Sequence, residues 1–141
     1  MEAKHKLSHQ LLVTIPSTMS FLSMAIKDSA RGDLGVTQFR ILSNIVNGTD
    51  RVKDIAEANG VSQPAISKMV ELMVKMDLIS RERDGGDRRS SVLRLTFKGK
   101  EIYNSIEQGA VDRVLTKLKQ LEDSEVREIE QALEKLEKFV V

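Results

Sequence analysis

Residues 52–70 read Val52-Lys53-Asp54-Ile55-Ala56-Glu57-Ala58-Asn59-Gly60-Val61-Ser62-Gln63-Pro64-Ala65-Ile66-Ser67-Lys68-Met69-Val70. The stretch meets the demands of two short helices crossing steeply at a tight turn. The crossing needs a small residue, and Ala56 supplies it. The turn needs a residue that accepts left-handed geometry, and Gly60 stands four positions later. Val61 is expected to plug the turn into the core, with Ile55, Ile66 and Met69 as the apolar contacts that set the helix angle. Ser62 can N-cap the second helix, and Pro64 falls in its first turn, where N–H groups lack intrahelical partners. The pattern is that of a helix-turn-helix. The same spacings also suit an ordinary helical hairpin inside a core, because short motifs recur widely.

With Ile66, Met69, Val70 and Met73 turned inward, the second helix exposes Gln63, Pro64, Ala65, Ser67, Lys68 and Glu71. These cluster at its N-terminal end, the end a recognition helix presents to major-groove base edges. Gln pairs bidentately with adenine, Ser with several bases, and Ala or Pro meets a thymine methyl. The candidate DNA-reading residues of this helix are Ser62, Gln63, Pro64, Ala65, Ser67 and Lys68.

The residues that follow separate the two readings. Leu78 to Arg83 and Val92 to Thr96 read as two short strands, joined by Asp84-Gly85-Gly86-Asp87-Arg88. Adjacent glycines tolerate the positive φ angles of a hairpin turn. A hairpin with Arg83, Arg88 and Arg89 around its tip, directly behind the second helix, is the wing of a winged helix-turn-helix. An arginine there can enter a minor groove, whose negative potential attracts guanidinium. Asp87 lies two residues from Arg89 on an extended segment and points to the same side. It is assigned to orienting that arginine, not to reading DNA.

Working outward, Leu11, Ile15, Met19, Leu22 and Ile26 recur on one face of an N-terminal helix. Pro16 either opens its main part or kinks a longer helix. Gly32 and Gly35 punctuate its end. Thr37 is expected to N-cap a second helix that turns Phe39, Leu42 and Ile45 inward and stops at Asn47-Gly48. The third helix covers about 52–59 and the fourth runs from Ser62 to about Met76. Thr96 can cap a long helix with Ile102, Ile106, Val111, Leu115, Leu118 and Leu121 on one side. Asp123 or Ser124 starts the last helix, where Val126, Ile129, Leu133, Leu136 and Val140 step like the a/d seam of a coiled coil.

The expected fold is therefore mainly α with a small β-hairpin wing, in the order α-α-α-α-β-β-α-α. It is a single domain over residues 1–141, with a winged helix-turn-helix core at 37–98. The helices at 1–35 and 100–141 carry apolar stripes that a monomer of this size does not cover, so they are assigned to a homodimer. The candidate interface residues are Leu12, Ile15, Leu118, Ile129, Leu133, Leu136 and Val140. Two-fold pairing would hold two recognition helices roughly 34 Å apart, one turn of B-DNA.

Charge agrees with this layout. The 141 residues hold 22 Lys+Arg against 21 Asp+Glu. Residues 1–80 are net +1, residues 81–100 net +4 and residues 101–141 net −4. A near-neutral total thus hides a basic wing and an acidic tail. The absence of cysteine excludes disulfides, thiolate metal sites and cysteine nucleophiles. With 2 His besides, no catalytic centre of the usual kinds can be assembled, and no enzyme activity or cofactor is expected. His5 and His9 stand at i and i+4, but two ligands do not make a metal site. Arg31-Gly32-Asp33 and Asn47-Gly48-Thr49 read as loop and turn chemistry. The N-terminus lacks a signal peptide's apolar core, and no apolar run reaches membrane-spanning length, so a cytoplasmic protein with no membrane partner is expected.

The stretch Asp87-Arg88-Arg89-Ser90-Ser91-Val92-Leu93-Arg94-Leu95-Thr96-Phe97-Lys98-Gly99 resembles the D-x-R…L-x-L-T-x-x-G signature of the MarR family of prokaryotic transcription regulators. Ser62 to Arg83 resembles that family's recognition helix and first wing strand. The resemblance implies a transcription regulator, usually a repressor, that binds double-stranded DNA as a homodimer on a palindromic operator. It also implies release by a small aromatic or anionic effector. Ser67-Lys68 fall where the family has a hydroxyl residue followed by Arg, and Arg88 and Arg89 match its wing arginines. The family's effector pocket lies between dimer helices and DNA-binding core, which makes Met19, Phe21, Met24, Phe39 and Tyr103 candidate lining residues. Two departures stand out. Asp77 occupies the position of a helix-ending glycine, although Asp accepts left-handed geometry better than most residues. The missing cysteine rules out the thiol-peroxide chemistry of some members. The competing expectation is a winged-helix protein-interaction module, such as an anti-repressor, without direct DNA binding.

Overall fold

The computed structural model describes residues 1–84 and 87–140, with side chains described at 1–83 and 91–140. The chain begins with helices α1 (Glu2–Ala30), α2 (Val36–Val46), α3 (Val52–Asn59) and α4 (Gln63–Lys75). Strands β1 (Ile79–Asp84) and β2 (Asp87–Leu95) follow, then α5 (Phe97–Leu118) and α6 (Asp123–Val140). The expected element order is the observed one.

α1 runs unbroken through Pro16 for 29 residues. Pro16 has no N–H to return to the carbonyl one turn back. Around it the hydroxyls of Ser8, Ser17, Thr18 and Ser20 each donate to the carbonyl four residues earlier. The helix ends on Arg31 at φ +50°, and Gly32 follows it at φ +86°. α2 starts earlier than expected. Its N-cap is Gly35 and not Thr37, because the Gln38 side chain accepts the Gly35 N–H at 3.0 Å and fixes the first turn there.

The core is built where α2, α3, α4 and the hairpin meet. Ile41, Leu42, Ile55, Ile66, Val70, Met73, Leu78, Ile79 and Leu93 are all but sealed from solvent. Phe39 joins it to α5 by stacking on Tyr103, ring centroids 5.3 Å apart. The hairpin is antiparallel, pairing Ile79 with Leu95, Arg81 with Leu93 and Arg83 with Ser91, and its register breaks between Arg83 and Asp84. β2 starts at Asp87, five residues before the expected Val92, so Arg88 belongs to a strand and not to the connection. Gly85 and Gly86 lie outside the described residues. The Leu93 N–H donates to the Asp50 carbonyl at 2.8 Å, which ties the loop before α3 to β2.

α5 departs from its expected stripe. Tyr103, Ile106 and Ala110 are buried, while Val111, Leu115 and Leu118 stay exposed. The reason is its close crossing with α1 through small residues. A Cβ at Gly109 would stand 2.9 Å from Ser29 Oγ. Arg113 Nη1 donates to that same Oγ at 2.7 Å and to the Gly109 carbonyl at 3.1 Å. No residue of α6 is buried.

Candidate nucleic-acid interface

The turn between α3 and α4 is closed by backbone groups. Gly60 sits at φ +64°, its N–H donates to the Glu57 carbonyl at 3.2 Å, and the Val61 N–H donates to the Ala56 carbonyl at 3.1 Å. Six-to-one and five-to-two bonds of this kind satisfy carbonyls that a helix end leaves free. Ala56 is buried at the crossing, as its size requires. Val61 is a correction: its side chain is 42% exposed and does not plug the core. What holds the turn inward is Ile55 and Ala56, and Val61 contributes its N–H.

α4 opens on Ser62, whose Oγ accepts the Ala65 N–H at 3.3 Å, with Pro64 in the first turn. Ile66, Val70 and Met73 are buried and Met69 half-buried, which rotates the other face outward. Ser62, Gln63, Pro64, Ala65 and Lys68 are exposed and Ser67 is half-buried. The six candidate reading residues therefore share the N-terminal half of one helix. At the other end Asp77 takes φ +60°, the left-handed geometry expected of it. The Asp77 and Leu78 N–H groups donate to the Val74 and Met73 carbonyls at 3.0 and 2.9 Å, closing α4 as Gly60 closes α3.

In the wing, Arg83 is exposed on β1 opposite Ser91. Arg94 reaches Glu82 across the hairpin at 3.3 Å. Asp87, Arg88 and Arg89 lie on β2, and their side chains fall outside the described residues, as does the proposed Asp87–Arg89 contact.

Of the five candidate effector residues, Phe21 is exposed on α1 and lines neither of two clefts that divide the other four. Phe39 and Tyr103 line one of about 340 Å³ between α1, α2 and α5, together with Leu22, Ile26, Ser43 and Glu107. Met19 and Met24 line another of about 410 Å³ across α1 and α2, with Lys27 and Arg40. Arg40 Nη2 donates to Ser23 Oγ at 3.0 Å there. Ser43 and Glu107 were not legible as lining, since each is an ordinary polar residue on a helix until its neighbours are known.

The candidate dimer residues stay open in the single chain. Leu12, Ile15, Leu118, Ile129, Leu133 and Val140 are exposed. Leu136 is half-buried in a groove with Leu7, Leu11 and Phe139, between the first part of α1 and the end of α6. His5 and His9 sit on α1, and among the described residues no group of three or more His, Cys, Asp or Glu is placed to hold a metal. No helix among the described residues is long and apolar enough to cross a membrane.

Among known proteins, residues 33–90 match the family model described as MarR family. An uncharacterized HTH-type transcriptional regulator of Bacillus subtilis (strain 168), YfiV, is 32% identical over 75 residues, which are 52% of this chain and 47% of that protein. The match thus spans about half the length of that relative. A MarR family protein from Bacillus stearothermophilus shares the fold with a TM-score of 0.78 at 20% identity, over 99% of this chain and 97% of that one. A MarR of Staphylococcus aureus, solved in complex with salicylate and kanamycin, shares it with a TM-score of 0.71 at 15% identity, over 99% and 93%.

Proposed function

Because residues 33–90 are a MarR-family segment and the whole chain has the fold of MarR structures, we propose that the protein is a sequence-specific, double-stranded DNA-binding transcription regulator. It acts as a homodimer on a palindromic operator, as a repressor released by a small aromatic or anionic effector. The observation that carries this reading is the exposed N-terminal half of α4. Gln63, Pro64, Ala65 and Lys68 stand in solvent directly over the buried Ile66, Val70 and Met73. A helix whose donors and methyls face outward on a rigid floor is what base-edge readout needs. Ser62 and Ser67 complete the reading face, and Arg83, Arg88 and Arg89 supply the wing's cations, with Asp87 orienting Arg89.

The open apolar faces of α1 and α6 support the homodimer, since large uncovered apolar patches mark interaction sites. The two clefts beside α1 support an effector, and the salicylate in the Staphylococcus aureus relative is a small aromatic anion. An effector releases DNA only by binding the DNA-incompetent arrangement better, because equal affinity shifts nothing.

The test is selection of bound duplexes from a random pool. The expected product is one palindrome with half-sites about one helical turn apart. Its affinity should fall steeply with salt, at a log–log slope near −7 for a dimer that neutralises roughly 8 phosphates. A pool that enriches no sequence overturns the reading in favour of a protein-interaction module.

A further inference from the structure

The T-x-x-G end of the wing motif, Thr96 to Gly99, has no part in the DNA contacts above, yet it is bonded to the recognition helix. α4 leaves through Met76, Asp77 and Leu78, and three successive carbonyls there face the first turn of α5. The Met76 carbonyl accepts from Lys98 Nζ at 3.2 Å. The Asp77 carbonyl accepts from the Thr96 hydroxyl, and the Leu78 carbonyl accepts from the Thr96 N–H at 3.0 Å. The same hydroxyl oxygen accepts the Gly99 N–H at 3.0 Å as the N-cap of α5. One side chain therefore serves both helices, which requires a group that donates and accepts at once. A Cβ at Gly99 would lie 2.1 Å from the Leu78 oxygen, so only glycine lets α5 approach this far.

We propose that Thr96, Lys98 and Gly99 are positioning residues for DNA recognition: they clamp the exit of α4 to the first turn of α5, so the two helices move as one body. The proposal rests on the DNA-binding reading. Farther along, α5 carries Tyr103 on Phe39 and Arg113 on Ser29, its contacts with α2 and α1. A displacement of α5 then reaches α4 through bonded atoms, while the covalent path runs around the hairpin, 19 residues from Asp77 to Thr96. The spacing of two recognition helices in a dimer depends on where each α4 sits relative to its own α5.

The experiment compares the wild type with Thr96→Val, which keeps the side-chain shape and loses both bonds, and with Thr96→Ser, which restores them. Each is measured on the selected palindrome, on the same half-sites moved apart by one and two base pairs, and on unrelated duplex. Thr96→Val should lose roughly tenfold or more on the selected spacing, the scale of one lost base contact. Its affinity for unrelated duplex should stay within about twofold of wild type, since phosphate contacts are retained. Its discrimination between spacings should flatten, and Thr96→Ser should regain it. A Thr96→Val protein that melts earlier yet discriminates spacings as the wild type does would reduce the clamp to a helix cap and overturn the proposal. A wild type that selects no sequence overturns the DNA reading itself, and the clamp's role with it.

Discussion

In α2 and α4 the apolar residues leave the solvent: Leu42, Ile45, Ile66 and Val70 are buried. In α6 none is buried: Ile129, Leu133 and Val140 are exposed and Val126 and Leu136 half-buried, although the five step evenly along one face. Leu133 is 56% exposed, and Leu12 at the far side of α1 is 76% exposed. The same residue types at the same period thus end in opposite states. A periodic stripe reports that a helix has an apolar face, and burial reports whether the chain itself covers that face. The winged core is covered by its own hairpin and helices. The face of α6 is left open by the single chain.

Four measurements break or sharpen this contrast. The largest effect belongs inside the core, where Leu42→Ala should cost about 2–5 kcal/mol in chemical denaturation, the range for emptying a sealed site. A cost within experimental error would mean that the core is not closed. On the open side, Leu133→Asp should raise the dimer dissociation constant roughly tenfold or more, about 1.4 kcal/mol per tenfold, by sedimentation equilibrium. An unchanged assembly would show that α6 is not the covering face. Next comes the cap of α4: Ser62→Ala should lower stability by roughly 1 kcal/mol in thermal melts, because the Ala65 N–H is left without its acceptor. Smallest is the Glu82–Arg94 pair, whose side chains are 61% and 60% exposed. Removing it by Glu82→Ala should change stability by roughly 0–1 kcal/mol, less in high salt.

What was legible in the sequence follows the same division. Ser62, Thr96, Gly60 and Asp77 could be read in advance because capping and left-handed turns are decided within a few residues. The buried faces of α2 and α4 followed from period, Ile41 apart, and that of α3 from the demands of the turn. Thr37 failed as a cap because Gln38, three residues after Gly35, reaches back to the Gly35 N–H as the Gln of a capping box does. Val61 failed because a turn residue can serve through its N–H while its side chain points away. The early start of β2 was hidden since Asp87 to Ser90 carry no alternating apolar pattern. In the candidate site, the outward face of α4 was legible from its period, except that Ser67 is half-buried. The bonds from α5 to Met76 and Asp77 were not, because they join segments about 20 positions apart that no local rule brings together.

The pairing of α1 with α5 also sets a schedule. The Ser29 and Arg113 side chains that meet there are 84 residues apart in the chain. At synthesis rates of roughly 5–20 residues per second, Ser29 has been made roughly 4–17 seconds before its partner on α5 exists. The helices and hairpin of the winged core lie between them, joined by short connections, and can close in the meantime. α1 can therefore meet α2 early, through Ser23 and Arg40, but the part of it that packs on α5 waits for the whole winged core to be made.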